Sequence, residues 1–499
     1  MSDRNRWLVL AIVSSALLLI VIDMTVLYTA LPTLTLALQA TANEKLWIVN
    51  AYPLVVAGLL PGLGTLGDRL GHKRMFLAGL AVFGAASLGA AFAPSPAGLI
   101  AWRVVLAAGA AMMMPATLSI IRLTFTDEKE RGFAIGVWAA VASGGAALGP
   151  VVGGLLLEYF WWGSVFLINL PVVLVALVAG ALLLPARPGD AGRPWDLLGS
   201  VQVMIGLVGV VYAVKEASRL HPSWGIAAVA LLVGGAALVV FVRRQRRSTA
   251  PLIDFSLFAN PRFSSGVATA MVASGVIVGV ELVFSQRLQL VLGYSPLQAG
   301  LLILPIPLAA FAAGPLTGLV LPHIAPHRVL AGTLALTALG LAAFLAVSDG
   351  TPALWIAPLA VMGFAIGAAM TAASAAIMLS APEERAGMAA SVEEVSYELG
   401  GALRIALLGS LLSALYTRAL VLPDGIGIAA QARDSLDEAL MLASQLPPEP
   451  ARQVATLARA AFDHAFAGVI IAAIAGLCIV AAHVWRSGPA AAGRMGSRG

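Results

Sequence analysis

The sequence predicts an all-α polytopic membrane protein of fourteen helices, arranged as two six-helix bundles with two helices inserted between them. Three observations carry this. The 499 residues are 60% hydrophobic and 11% charged, against roughly 25% charged in soluble domains, and the mean hydropathy is +0.93. Fourteen apolar runs are each long enough to cross a bilayer, since a 1.5 Å rise per residue needs roughly 20 residues for a 30 Å hydrocarbon core. A short pattern also recurs at one fixed spacing.

The first run, about 7–31, follows Arg4 and Arg6 as a secretory signal does. It is too long for one and many similar runs follow, so it is expected to stay as the first span. Runs at about 46–66, 75–93, 97–121, 132–157 and 162–184 complete the first bundle, with the proline-rich turn APSPA between the third and fourth. Runs at 196–215 and 224–242 form the insertion, which RRQRRS (243–248) links to the second bundle. That bundle takes runs 263–285, 298–321, 328–347, 353–379, 388–417 and 464–485. The expected units are therefore 1–187, 188–248 and 249–499, the last with a long outer loop at 418–463. Two helix-like stretches in that loop, broken by Pro447 and Pro448, read as a solvated or interface-lying amphipathic hairpin.

Charge placement sets the orientation. Twenty of the 30 lysines and arginines fall in the gaps on the side of the N-terminus, eight in the opposite gaps, and Arg103 and Arg404 inside spans. The positive-inside rule then puts both termini in the cytoplasm. The net charge of +5 thus reports topology rather than a nucleic-acid-binding face. The single cysteine, Cys478, excludes an intramolecular disulfide. None of the four lysines precedes Ser or Thr, so there is no phosphate-binding loop of an ATP-driven pump, and no HExxH metal motif occurs.

The repeat aligns PGLGTLGDRLGHKRM (61–75) with PLTGLVLPHIAPHRV (315–329), and EKER (128–131) with PEER (382–385), both offset by 254. Parallel repeats in transporters place substrate between the halves near the midplane. The halves differ in chemistry: Ala139, Ala140 and Gly144 align with Glu393, Glu394 and Glu398. A channel would want a symmetric ring of charge. Coupled flux separates the two classes, because an antiporter needs a pH gradient to exchange against.

Charged residues inside spans mark the candidate site, because each costs at least about 2.5–3.5 kcal/mol to insert. Asp23 lies roughly 24 Å from the inner surface and Arg103 roughly 9 Å below the outer one, so the two can meet. The pair is either a fixed salt bridge or one that protonation of Asp23 opens. Glu394 and Glu398, four apart, share a helical face, with Glu393 about 100° away. These acids either exchange protons for a cation or, for Glu393 and Glu394, lie in a wet inner funnel. Tyr28, Asn50, Tyr52, Trp138, Tyr397, Phe284 and Met112–Met114 are candidate pocket residues, since aromatic faces attract cations and methionine adapts its shape.

GTLGDRLGHKR (64–74) resembles the loop signature of the major facilitator superfamily, and GAALGPVVGG (145–154) the fifth-helix signature of its antiporters. IDMTVLYTALP (22–32), WWGSVFLINLP (161–171) and WDLLG (195–199) are similar to the fourteen-helix drug:proton antiporters, specifically to quaternary-ammonium and biguanide efflux pumps. Leu106 and Ala107 depart from the fourth-helix pattern that follows the arginine, and Asn50 stands where some members carry an acid. The resemblance implies proton-driven multidrug and antiseptic export without a cofactor. It implies a monomer in the bacterial inner membrane whose partners are lipophilic cations, protons and lipid. Asp23, Glu393, Glu394, Glu398 and Arg103 would bind proton or substrate. Gly64, Gly67, Asp68, Arg69, Gly71, Lys73 and Arg74 would form a conformational latch, with Asp68 accepting hydrogen bonds from a neighbouring helix and the basic residues pairing with it or with lipid. Gly145, Gly149, Pro150, Gly153 and Gly154 would form a sliding helix interface.

Overall fold

The computed structural model describes residues 3–487, apart from 41, 191, 193, 194, 218–221, 249, 250, 295, 423–431 and 434. The side chains of Tyr28, Asn50, Pro150 and Arg404 also lie outside the described residues. Among those described, twelve helical segments are long and apolar enough to cross a membrane. Two more long helices, α5 (Glu128–Tyr159) and α15 (Ala386–Ala419), occupy the fifth and thirteenth predicted positions. The first four helices are α1 (Asp3–Ala37), α2 (Ala42–Leu70), α3 (His72–Ala91) and α4 (Pro96–Thr124).

Proline sets the breaks. The sixth span is split into α6 (Ser164–Leu167) and α7 (Asn169–Leu183). Pro171 has no N–H to give the carbonyl four residues back, and that carbonyl belongs to Leu167, the last residue of α6. The tenth span splits likewise into α11 (Pro296–Ile303) and α12 (Pro305–Val320), with Pro307 four residues beyond Ile303. Between them run the inserted pair, α8 (Leu197–Ala217) and α9 (Trp224–Gln245), and α10 (Pro261–Gln286). Helices α13 (Pro326–Val347) and α14 (Pro352–Ser380) precede α15.

The outer segment differs from the expected hairpin. After the short α16 (Leu436–Ala443), one helix, α17, runs from Pro448 to Ser487 and contains the whole fourteenth span. Pro448 starts this helix rather than interrupting it, because an orphan N–H at a first helical position costs nothing to lose. Leu436, Ala439, Val454, Ala458 and Phe462 are buried, and Tyr416 Oη donates to the Ala432 carbonyl (3.1 Å). The segment is a packed cap on the second bundle, pinned by Arg287. That arginine donates to Asp463 (2.7 Å), Asp349 (3.0 Å) and the Ser348 carbonyl (3.0 Å).

The inserted helices pack on each other and on α2. A methyl at Gly209 would overlap Gly234, and one at Gly58 would overlap Met204. Their outer surface is apolar, with Leu232 72% exposed, as suits a face toward hydrocarbon. The two six-helix bundles meet through two glycine crossings. Gly64 of α2 lies against Gly387 and Ser391 of α15, and Gly318 of α12 lies against Gly132 of α5. Gly64 and Gly318 are the pair related by the 254-residue offset, so the sequence repeat appears as a repeated helix contact.

Candidate functional site

Asp23 sits in the middle of α1 and Arg103 in the second turn of α4, and each is 2% exposed. Arg103 Nη1 donates to Asp23 Oδ2 at 2.9 Å. Its Nε donates to the Ile48 carbonyl (3.3 Å), and its guanidinium lies 4.5 Å from the Tyr52 ring centroid. The second carboxylate oxygen of Asp23 accepts from Asn169 Nδ2 (2.9 Å), which also donates to Ser87 Oγ (3.1 Å). Two helix details aim this network. Gly149 of α5 lets α1 approach closely at Thr25, two residues from Asp23. The break before α7 places Asn169 at its first residue, with the side chain turned inward.

Asn169 is not among the residues that the sequence marks out, although it lies within WWGSVFLINLP (161–171). A polar amide in an otherwise apolar run, two residues before a helix-breaking proline, is the signal that could have found it.

The second group of acids lies on α15. Glu393 is fully buried and Glu394 is 3% exposed, which removes the wet-funnel reading for both. Tyr397 Oη donates to Glu393 Oε1 at 3.1 Å. Glu393 Oε2 and Glu394 Oε1 are buried with no hydrogen-bond partner among the described residues. Glu398 is half-buried. Glu394 and Glu398 are four residues apart on α15 and so share one helical face.

Other pocket candidates are committed to packing. Trp138 is buried and donates to Thr117 Oγ1 (3.0 Å). Phe284 is buried in an aromatic cluster, 4.8 Å from Phe344 between ring centroids. The side chains of Tyr28 and Asn50 lie outside the described residues.

The loop 64–74 reaches across the two bundles. Asp68 accepts from the backbone N–H groups of Gly387 (2.8 Å) and Met388 (3.3 Å), the first-turn donors of α15. His72 Nε2 lies 3.4 Å from the same carboxylate. Gly71 has φ +96°, where glycine is strongly favoured. Lys73 does not pair with Asp68: its Nζ donates to the carbonyl of Ala181 in the last turn of α7 and to that of its C-cap Leu184, both at 2.8 Å. Neither Arg69 nor Arg74 forms an ion pair among the described residues. Arg122 adds a further bond between the bundles, to the Ala381 carbonyl.

The fifth-helix glycines are divided. Gly145 and Gly149 seat α1, with Gly145 facing Val21 and Leu18, while Gly144 faces Phe311 of α12. Gly153 is buried, and Gly154 has open space around it. The pattern thus serves the placement of Asp23 as well as contact between the halves.

Comparison with known proteins agrees with these features. The model of the Major Facilitator Superfamily matches residues 13–403. "Methyl viologen resistance protein SmvA" of Salmonella typhimurium is 42% identical over 487 residues, 97% of this chain and 98% of that protein. "Multidrug efflux pump LfrA" of Mycolicibacterium smegmatis is 39% identical over 96% of this chain and 95% of its own. In fold, the human organic anion transporter MFSD10 superposes with a TM-score of 0.63 at 14% identity, covering 95% of this chain and 99% of its own. The proton:xylose symporter XylE gives 0.61 at 12% identity, covering 98% of this chain and 97% of its own. With its loop signature, repeated bundles and two inserted helices, the chain belongs to the major facilitator superfamily, in its fourteen-helix drug:proton antiporter branch.

Proposed function

We propose that this multidrug efflux pump exchanges protons for lipophilic cations, such as quaternary ammonium compounds, biguanides and dyes. It would act by alternating access in the bacterial inner membrane, with both termini cytoplasmic. The observation that carries the reading is a carboxylate, Asp23, closed off from water and held by Arg103 and Asn169, in a molecule that also buries Glu393 and Glu394 on α15. A buried ion pair that loses one partner becomes unfavourable by roughly 3–5 kcal/mol. Protonating Asp23 therefore releases Arg103 and unsettles α1 against α4. The acids of α15 concentrate carboxylates on one helix, which suits a positively charged, partly apolar guest. Methyl viologen, named in the SmvA relative, is a dication and has that chemistry.

The closed end fits the same cycle. The contacts Asp68–Gly387, Arg122–Ala381 and Gly132–Gly318 all lie at the basic, cytoplasmic ends of the helices. Opening that side requires Asp68 to give up two charge-assisted bonds. An anion exporter is disfavoured by the same geometry, since Arg103 is already neutralised by Asp23. Proton-coupled efflux in everted vesicles tests the reading. The Asp23→Asn protein should insert and fold yet fail to export against a gradient, and full transport by it would reject the role.

A further inference from the structure

The repeat predicts a second latch, and the structure has a cavity there instead. Adding 254 to Asp68 gives Pro322, which cannot reach across to the partner helix as a carboxylate does. Helix α5 does not need it, because its own Asp127 accepts from the amides of Lys129 and Glu130, both at 3.0 Å. At this place a cavity of about 260 Å³ opens between the bundles, lined by Arg131 and Glu128 of α5, Arg262 of α10, His323, and the apolar Leu321 and Leu379. Pockets for drug-sized molecules start near 300 Å³, so this one is small for the exported compound and lies away from Asp23.

Its charge is unbalanced. Neither Arg131 nor Arg262 forms an ion pair among the described residues, and Arg131 Nε is buried without a hydrogen-bond partner among them. Of the acids nearby, Glu130 pairs with Arg6 (2.6 Å), and Glu128, which lines the cavity, offsets only one of its two arginines, so the lining keeps a net positive charge. The mouth continues onto exposed apolar side chains, Ile324 at 43%, Val320 at 42% and Leu379 at 42%. A cationic cleft opening onto a hydrocarbon-facing surface at the cytoplasmic end of the spans is built for an anionic headgroup with tails, not for a free ion.

We propose that this cavity binds the phosphodiester of an anionic phospholipid, with the phosphate between Arg131 of the first bundle and Arg262 of the second and the acyl chains along Ile324 and Leu379. The lipid would supply the second, missing bridge between the halves while the cytoplasmic side is closed. This does not depend on which compound is exported.

The test titrates detergent-purified full-length protein with a fluorescent phosphatidylglycerol, with phosphatidylcholine as the zwitterionic control. Arg131→Gln with Arg262→Gln should weaken phosphatidylglycerol binding by about fivefold per arginine, so about 25-fold. Arg243→Gln with Arg246→Gln, an equal loss of exposed charge at the C-terminal end of α9, should leave binding near that of the unaltered protein. Arg262 is exposed and at a helix start, so Arg262→Gln alone gives the fivefold step if the double variant does not fold. Equal weakening by both pairs, unchanged binding in the cavity variants, or full displacement of the lipid by millimolar inorganic phosphate would each overturn the proposal.

Discussion

Asp23 and Arg103 are held 2.9 Å apart, both only 2% exposed, in helices whose own sequence is otherwise suited to hydrocarbon. Removing one partner leaves the other as an uncompensated buried charge. Arg103→Ala should therefore cost about 3–5 kcal/mol of stability, read as thermal unfolding in detergent. Arg103→Ala with Asp23→Asn should recover much of that loss without recovering transport.

Asn169 gives Asp23 its second bond. Hydrogen bonds to charged groups contribute roughly 1.5–3 kcal/mol, so Asn169→Leu should slow efflux by about 10- to 100-fold while the protein still inserts. Ser87→Ala, one bond further away, should cost less. Efflux kinetics of the two variants side by side check the order.

The α15 acids should divide substrates by charge. Glu394→Gln and Glu398→Gln are expected to reduce export of dications more than of monocations, because the dication has a second charge to satisfy. Glu393, bound by Tyr397, should behave more like a positioning residue, and Tyr397→Phe should mimic part of its loss. Equal loss for both substrate classes would count against a second charge site.

The Asp68 bridge predicts a shift in conformation. Asp68→Asn weakens the acceptor for Gly387 and Met388, and Gly64→Val drives a side chain into Ser391 and the Gly387 carbonyl. Both should lengthen spin-label distances across the cytoplasmic ends and lower turnover, with substrate affinity changing by less than turnover.

Asp254, in the linker after the insertion, gives a pH prediction. Burial works to raise its pKa. Hydrogen bonds from the Ser256 hydroxyl and amide and the Arg385 guanidinium together outweigh that, and hold it below the ordinary 3.8. A carboxylate depressed in the folded state adds stability above its unfolded pKa and loses it as pH falls through the folded one. The protein should thus lose thermal stability below about pH 4, and Asp254→Asn should flatten that part of the profile while lowering the plateau at neutral pH.

The spans were legible because hydrocarbon imposes one requirement on each, and the sites because charge inside a span is costly. The meeting of Asp23 with Arg103, and of Asp68 with a helix N-terminus, followed from depth and from the donor chemistry. What the sequence hid were relationships set by packing. Asn169 looked like part of a motif until the break at Pro171 turned it inward. Glu393 looked peripheral by helical angle, yet the bundle closes over it. The start of α17 lay inside a polar stretch because its first turns pack on protein rather than lipid. The cavity at Arg131 is the place where an aligned position, Pro322, lacks the acid its counterpart has.

The most direct test adds methyl viologen to purified protein in weakly buffered detergent solution and measures protons released alongside substrate bound. Release should saturate with binding and disappear when Asp23, Glu393, Glu394 and Glu398 are made amides, with binding weakened in step. Equally tight binding by that variant would show that the guest and the proton do not compete for these carboxylates.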